Sequence, residues 1–362
     1  MQTAIPCFLM RGGSSKGLYF RKEDLPADEA LRDRVLVAAV GSDSRQIDGA
    51  GGAHPLTSKV AVVSRSESKD TDIDYLFVQV VVGEGRVDTT PNCGNILAGV
   101  APFAIENGLV EARAGITPVR VRMLNSDNLC ELLIETPGKR VNYDGNAKID
   151  GVPGTAAPIV CNYLDVAGSA TGALLPTGHV RDVVGGVEIT CIDNGMPVVV
   201  LRARDLGVSG YETPKELDAN KTLKAKIESI RLQIGPKMNL GDVTKKVVPK
   251  MSLIAPARAG GHVCTRTFIP HDCHAAIGVL GAVSVATACI LPGSVTEGVA
   301  TVPEGAVKQM SVEHPTGEFS VTLEVGGTRE QPTVQKAVLL RTARLIMRGE
   351  VFVPASIWDG SR

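Results

Sequence analysis

The sequence predicts an α+β fold of two similar domains, each an antiparallel-rich sheet wrapped around a central helix, with the active site in the cleft between them. Three observations carry that reading. The chain has 362 residues, enough for two domains of ordinary size. Short runs rich in β-branched residues, separated by turns, fill most of it. Each half also leads through strands into a cysteine set at or just before an apolar helix: NCGNILAGVAPFAIENGLV from Asn92, and DCHAAIGVLGAVSVATACILPGSV from Asp272. Two copies of one sheet-and-helix unit, their helix N-termini facing one cleft, account for the repetition and set Cys93 across from Cys273.

The strand signals fall at 74–82, 118–124, 130–136, 187–193, 196–203, 251–257 and 319–325. Helical periodicity covers 29–40, roughly 93–108, 216–234 and 274–290. With 39 Gly and 21 Pro the chain is turn-rich, and with only 7 Phe, 5 Tyr and 1 Trp its cores must be filled by Val, Leu, Ile and Ala. The turn chemistry of PTGHVRDVVGGVEIT (176–190) places the crossover near residue 182. The expected domains are therefore 1–182 and 183–345, with a segment of about 346–362 packing back on the first.

The formal net charge is −1 and the basic residues are scattered, so there is no nucleic-acid footprint and an anionic ligand has to be held locally. Cysteines 7, 93, 130, 161, 191, 264, 273 and 289 show no CxxC and no zinc-finger spacing, which reads as free thiols in a cytoplasmic protein. The run AAIGVLGAVSVATACIL (275–291) imitates a membrane span. It is short, and Ser284 and Thr287 interrupt it, so a helix buried along the axis of a domain explains it better than a membrane partner.

Chemistry concentrates in a few motifs. In TTPNCGNILAGV, Cys93 stands where a helix begins, and helix amides there favour thiolate and bound anions; the alternative is a small buried hydrophobe. Gly94 lets a ligand approach the backbone, while Asn92 and Asn95 either donate amides to a carboxylate or cap the helix. RGGSSKG is a Gly-rich turn in which Arg11, Ser14 and Ser15 can cradle a carboxylate, or a plain hairpin; it lacks the spacing of a phosphate-binding loop. Lys59, after Ser58 at the mouth of an apolar strand, is either a partly desolvated amine or a surface lysine. RTFIPHDCHAAIG groups Arg266, His271, Cys273 and His274. Their spacing suits a metal poorly; Arg266 as a carboxylate clamp, with the histidines orienting substrate or capping, suits a polyacid better. The charge run at 221–233 reads as the solvated face of an amphipathic helix.

NCGN, CIDNGMPVVV and DCHAAIGVLGA together resemble the diaminopimelate-epimerase-like superfamily. MRGGSSKGLYF, QIDGAGGAHPLTSKVAVV, PKMNLGDV and RTFIPHDCHAAIG narrow the likeness to its PrpF-like branch, over residues 5 to 348 or so. The resemblance implies a cofactor-independent isomerase that moves a proton across an allylic system or between keto and enol forms of an unsaturated tricarboxylate. It implies a homodimer by family habit, and Lys59 and Cys93 as the catalytic pair. The substrate expected is 4-oxalomesaconate, of gallate or protocatechuate 4,5-cleavage, ahead of methylaconitate or methylitaconate. Amino-acid epimerases of the superfamily use two cysteines; bringing in a lysine leaves Cys273 between a substrate contact and a bystander. Such a reaction needs a base working near neutral pH, a proton donor and fixed positive potential for the dienolate oxygens.

Overall fold

The structure is a computed structural model and describes residues 1–361 except 90, 91, 165 and 329–331, so Thr90 and Pro91 of the TTPNCGN stretch lie outside the described residues. In chain order the elements are β1 (Gln2–Gly12), β2 (Ser15–Arg21), α1 (Glu29–Val40), β3 (Lys59–Arg65), β4 (Ile73–Val81), β5 (Arg86–Asp88), α2 (Gly94–Leu97), α3 (Val100–Glu106), β6 (Gly115–Met123), β7 (Asn128–Thr136) and β8 (Ile159–Leu164). There follow β9 (Asp182–Val184), β10 (Val187–Asp193), β11 (Pro197–Arg202), α4 (Pro214–Ala219), α5 (Lys221–Ile234), β12 (Lys250–Ala255), β13 (Val263–Phe268), α6 (Val279–Ile290), β14 (Val307–His314), β15 (Gly317–Gly327), β16 (Pro332–Arg341) and β17 (Ala343–Pro354). By its internal contacts the chain divides into two compact units, Met1–Asn162 together with the chain from Leu340 on, and Tyr163–Leu339.

In the first unit β17 pairs antiparallel with β1, and Trp358 beyond it is buried in the same core. The sheet pairing then alternates: β1–β2 antiparallel, β2–β3 parallel, β3–β4 antiparallel, β4–β6 parallel, β6–β7 antiparallel. Because side chains alternate across a strand, each strand serves both faces. Leu18, Phe20, Val60, Val62, Val78 and Val80 form one core with Val35, Leu36, Ala39 and Val40 of α1. That helix starts where Asp28 accepts from the Leu31 amide and stops at Gly41, whose φ of 106° a side chain would resist. On the opposite face Tyr19, Ala61 and Phe77 stand in register across β2, β3 and β4. Phe103 of α3 packs edge-on against Phe8, with ring centroids 5.1 Å apart. The single helix expected over 93–108 is two short ones. Pro102 has no amide hydrogen to bond the carbonyl four residues back, and Gly99 takes up the break.

The second unit repeats the pattern: β10–β11 antiparallel, β11–β12 parallel, β12–β13 antiparallel, β13–β14 parallel, β14–β15 antiparallel. α6 stands between β13 and β14 as α2 and α3 stand between β4 and β6, so the two similar sheet-and-helix units predicted from the sequence are present. All twelve residues of α6 are buried. Its polar interruptions hold the turn after β10: Ser284 Oγ accepts from the Asn194 amide and donates to the Met196 carbonyl, and Thr287 Oγ1 accepts from Asn194 Nδ2. Among the described residues no helix is long and apolar enough to cross a membrane. The helix expected over 274–290 begins only at Val279, because the preceding segment returns to β13 through the Phe268–Cys273 bridge and the His274 amide bond to the Thr267 carbonyl.

The helix expected over 216–234 divides at Asn220, whose side chain accepts from the Leu223 amide and starts α5 afresh. α5 buries Leu223, Ile227, Ile230 and Ile234 against β10 and β11. Its charged residues are not all solvated, however. Arg231 is fully buried, bonded to both Glu228 oxygens at 2.7 Å and donating to the Val243, Lys246 and Val248 carbonyls, so it fastens the loop that follows.

Burial raises the thiols of the core. Cys7 is pushed up to about 11, and Cys273 and Cys289 up to about 12, from an ordinary 9.0; next to Cys273 the Asp218 carboxylate acts in the same direction. Unfolding would free these thiols to ionise at their ordinary value, so the folded chain binds more protons than the unfolded one between about pH 9 and pH 11–12. The stability they contribute is whole below about pH 9 and is lost as the pH climbs through that window, with a slope of up to about 1.4 kcal/mol per pH unit and thiol. Urea unfolding at pH 8 and pH 10.5 is expected to give a lower midpoint at the higher pH; equal midpoints would refute it.

Candidate active site

The site in the first unit grows from one row of the sheet. Gly17 on β2, Lys59 on β3, Gln79 on β4 and Asp88 on β5 are successive register partners. Their direction is that of Tyr19, Ala61 and Phe77, the face on which α2 and α3 lie. Lys59 opens β3 and is only 8% exposed. Its Nζ donates to Gln79 Oε1 at 2.7 Å and lies 4.9 Å from the centroid of the Phe77 ring. Among the described residues no carboxylate comes within ion-pair distance of it, so the amine has a neutral amide and a ring face as its company. Gly17 is required beside it: a Cβ there would fall 2.2 Å from the Lys59 carbonyl oxygen.

Cys93 is half-buried immediately before α2. Tyr75, two positions along β4 from Phe77 and on the same face, donates from Oη to the Cys93 carbonyl at 3.3 Å. Tyr19 donates to the Ile96 carbonyl at 2.6 Å; its phenol is held far above the usual range first by burial and next by the neighbouring Cys93. Lys59 and Cys93 are thus carried on one face of one sheet, joined through Phe77 and Tyr75. With α2 a single turn of four residues, the helix field expected at Cys93 is small, and the tyrosines rather than a long helix fix its backbone.

The hairpin motif lies against the same turn. Asn95 Nδ2 donates to Ser14 Oγ at 3.2 Å, and the Ser14 amide lies 3.4 Å from Asn95 Oδ1. Arg11 Nη1 donates to the Gly13 carbonyl and to the Thr342 carbonyl and hydroxyl, leaving Nε and Nη2 without partners among the described residues. Ser15 is 2% exposed, and its hydroxyl, on the face of Gly17 and Tyr19, has no partner among the described residues. Asn92 Nδ2 donates to Ser126 Oγ, while its buried Oδ1 has no partner among the described residues. Gly94 is buried at the start of α2.

Ser58 is fully buried, with Oγ 2.7 Å from Gln46 Oε1 and 2.8 Å from the His54 carbonyl. Gln46 also accepts from the Ala53 amide, so it is the post around which loop 46–58 is wound before Lys59. Gln46, Gln79 and the two tyrosines are absent from the residues singled out in the sequence. Gln46 stood inside a quoted motif; nothing local marked Gln79, because its role depends on which strand pairs with β3.

In the second unit Arg266, on β13, is 8% exposed and donates from Nε to the Glu212 carbonyl at 2.6 Å and from Nη1 to the Thr265 carbonyl at 2.8 Å. His271 is exposed, with Nδ1 3.8 Å from a Glu228 carboxylate oxygen. The Cys273 amide donates to Asp218 Oδ1 at 2.7 Å, and His274 Nδ1 accepts from the Ala276 amide at 2.8 Å, which caps that turn. Cys273 therefore sits at a strand bridge six positions before α6, not at a helix start.

A two-unit α+β chain of this repeated sheet-and-helix topology has the diaminopimelate-epimerase-like fold. Within that class the family model described as PrpF protein matches residues 2–354, and the chain belongs to that family. It is 56% identical over 360 residues to the 4-oxalomesaconate tautomerase of Pseudomonas putida KT2440, covering 99% of each chain. It is 60% identical over 349 residues to the (4E)-oxalomesaconate Delta-isomerase of Novosphingobium sp. strain KA1, covering 96% of this chain and 97% of the relative. The crystal structure of a methylitaconate-delta-isomerase superposes with a TM-score of 0.84 at 33% identity, covering 98% of this chain and 97% of that one.

The orphaned Ser15 hydroxyl generates a prediction. Removing a buried hydroxyl that has no partner does not weaken a fold, whereas a ligand that uses it loses one hydrogen bond. Ser15→Ala is expected to keep or raise the thermal midpoint and to raise KM about tenfold with kcat within a factor of about three. A lowered midpoint with unchanged KM would return Ser15 to the scaffold.

Proposed function

We propose that the protein is a cofactor-independent isomerase of 4-oxalomesaconate, shifting a proton across the substrate's allylic system, or between its keto and enol forms, in the 4,5-cleavage breakdown of gallate or protocatechuate. Two relatives with more than half of all positions identical carry that activity in their names. The observation that carries the mechanism is Lys59: nine-tenths buried, without a carboxylate partner among the described residues, on the same sheet face as Cys93.

A carbon-bound proton next to a carbonyl or carboxyl is acidic because its loss gives a dienolate whose charge spreads onto oxygen. Lys59, in its amine form, takes that proton; the resulting ammonium faces the developing charge and is steadied by the Phe77 ring. Re-protonation two carbons away completes the shift, with the Cys93 thiol as donor in this reading, and a proton passing from the Lys59 ammonium to the Cys93 thiolate, directly or through solvent, restores both groups. The net change in the substrate is the position of one hydrogen and one double bond, so no electron acceptor enters. Ser15 and the Nε and Nη2 of Arg11, which have no partners among the described residues, are the groups proposed to receive substrate carboxylates. Arg266, His271 and His274 remain in the proposal as carboxylate and orientation contacts.

The eight unpaired thiols suit a reducing compartment, which supports a cytoplasmic location. Exposed Ile346, Met347 and Phe352 of β17 support a homodimer, which sedimentation at the mass of one chain would remove. The decisive experiment is proton NMR in heavy water with 4-oxalomesaconate, and separately with methylaconitate and methylitaconate. Turnover and deuterium uptake are expected with the oxo acid, with a loss of about 10²–10⁴-fold in Lys59→Ala and a smaller loss in Cys93→Ala. If Lys59→Ala retained the wild-type rate, Lys59 would not be the base; if no candidate substrate shifted its double bond, the protein would be a polyacid-binding one.

A further inference from the structure

We infer that Gln79 is the positioning residue of Lys59, a neutral holder that fixes the amine in place without supplying the negative charge that would keep it protonated. This deepens the reading of Lys59 as the base and rests on it. The two residues are direct partners across the β3–β4 pair. The orientation of the Gln79 amide is dictated by its other contacts: Nε2 lies 3.2 Å from the Pro55 carbonyl, 3.0 Å from the Ser58 carbonyl and 3.2 Å from the Val80 carbonyl. Carbonyl oxygens only accept, so the nitrogen must be turned to them, and Oε1 is left facing Lys59 Nζ at 2.7 Å.

Through those carbonyls Gln79 ties the 55–58 turn, the end of the Gln46-centred loop, to the reactive amine. An amide oxygen accepts from an ammonium and also from one N–H of a neutral amine, which leaves the nitrogen lone pair for a substrate proton, and it adds no full negative charge to the ammonium form. A carboxylate of the same length in that place would form a half-buried ion pair and hold the ammonium.

The surroundings agree from each side. On β2 the register partner of Lys59 is Gly17, which has no side chain to offer. On β4 the neighbour on the same face is the Phe77 ring. On β5 the charged group in register is Asp88, next to Gln79 on the side away from Lys59. From the α2 turn the titratable group is Cys93, and from β2 Tyr19, which is spent on the Ile96 carbonyl. Gln79 is thus the residue between the amine and the nearest carboxylate of the row.

The test uses Gln79→Leu and Gln79→Glu in the full-length protein, with two readouts. The first is the pH profile of kcat. Gln79→Leu is expected to lower kcat about 10–100-fold with KM within twofold, since a misplaced base costs rate rather than binding. Gln79→Glu is expected to be slow at pH 7 and to recover with rising pH, its limb displaced upward by at least one pH unit. A merely structural role would lower the thermal midpoint and the rate without moving that limb. The second readout does not depend on turnover: carbamylation of Lys59 by cyanate at pH 8, followed by peptide mass spectrometry, where only the neutral amine reacts. At least a fivefold slower reaction is expected in Gln79→Glu. If carbamylation slows but the kcat limb stays, Gln79 holds Lys59 as inferred and the reading of Lys59 as base falls. If carbamylation in Gln79→Glu matches wild type, the inference on Gln79 falls whatever the rates.

Discussion

The first unit depends on how closely one turn, Cys93–Gly99, sits on its sheet. The approach is closer than any side chain at three positions would allow. A Cβ at Gly12 would lie 2.5 Å from the Asn95 carbonyl oxygen, one at Gly13 2.1 Å from Asn95 Oδ1 and one at Gly99 2.5 Å from the Tyr19 hydroxyl. Those contacts bring the helix backbone within reach of Tyr19 and Tyr75, whose hydroxyls add a second bond to the Ile96 and Cys93 carbonyls, which already accept from the Gly99 and Leu97 amides. The sheet face that results is polar at one end, where Lys59 and Gln79 stand, and apolar at the other, where Phe8 and Tyr19 pack on Phe103. A lysine buried at such a boundary keeps its stem among apolar atoms and its nitrogen at the edge of them.

Much of the architecture was legible because it is written in periods the chain cannot hide. β-branched runs at two-residue period fixed the strands to within a few positions, as at Val187–Asp193, and the 3.6-residue pattern of Glu29–Val40 gave α1 to the residue. What failed was the continuity of one helix and the start of another. Apolar residues from Cys93 onward and from His274 onward look like continuous helices in projection, but Pro102 breaks the first, and the second is delayed to Val279 by a bridge to β13 that involves residues distant from the helix. Arg231 was misread for a related reason: within α5 it shares the sequence neighbourhood of exposed lysines, and its burial is made tolerable by the Glu228 carboxylate together with three loop carbonyls that lie beyond the helix.

The candidate site was legible where a motif is local and illegible where it is assembled by pairing. Lys59 and Cys93 lie in distinctive stretches, and the fold places both on one face. Gln79 sits in DYLFVQVVV as an unremarkable polar residue of a strand. It becomes a partner of Lys59 only because β3 and β4 pair in the register Lys59–Gln79, which no feature of either segment alone specifies.

The duplicated topology sharpens the question of why the two units are not chemically alike. β12 is the counterpart of β3, and each opens on a lysine, Lys250 and Lys59; Cys273 follows β13 as Cys93 follows β4 and β5. The surroundings of the two thiols have diverged. Cys273 is 7% exposed, its thiol is raised by burial and by the Asp218 carboxylate that holds its own amide, and it lies on a strand bridge away from any helix start. Cys93 is more open, has a tyrosine on its carbonyl and shares a sheet face with a lysine. Two-thiol chemistry of the amino-acid epimerase kind needs both thiols able to cycle through thiolate, and a carboxylate beside a buried thiol opposes that at Cys273. In the reading proposed for this site, Lys59 takes the proton in the first unit and removes the need for a second thiolate, which gives pairing it with Cys93 its physical sense.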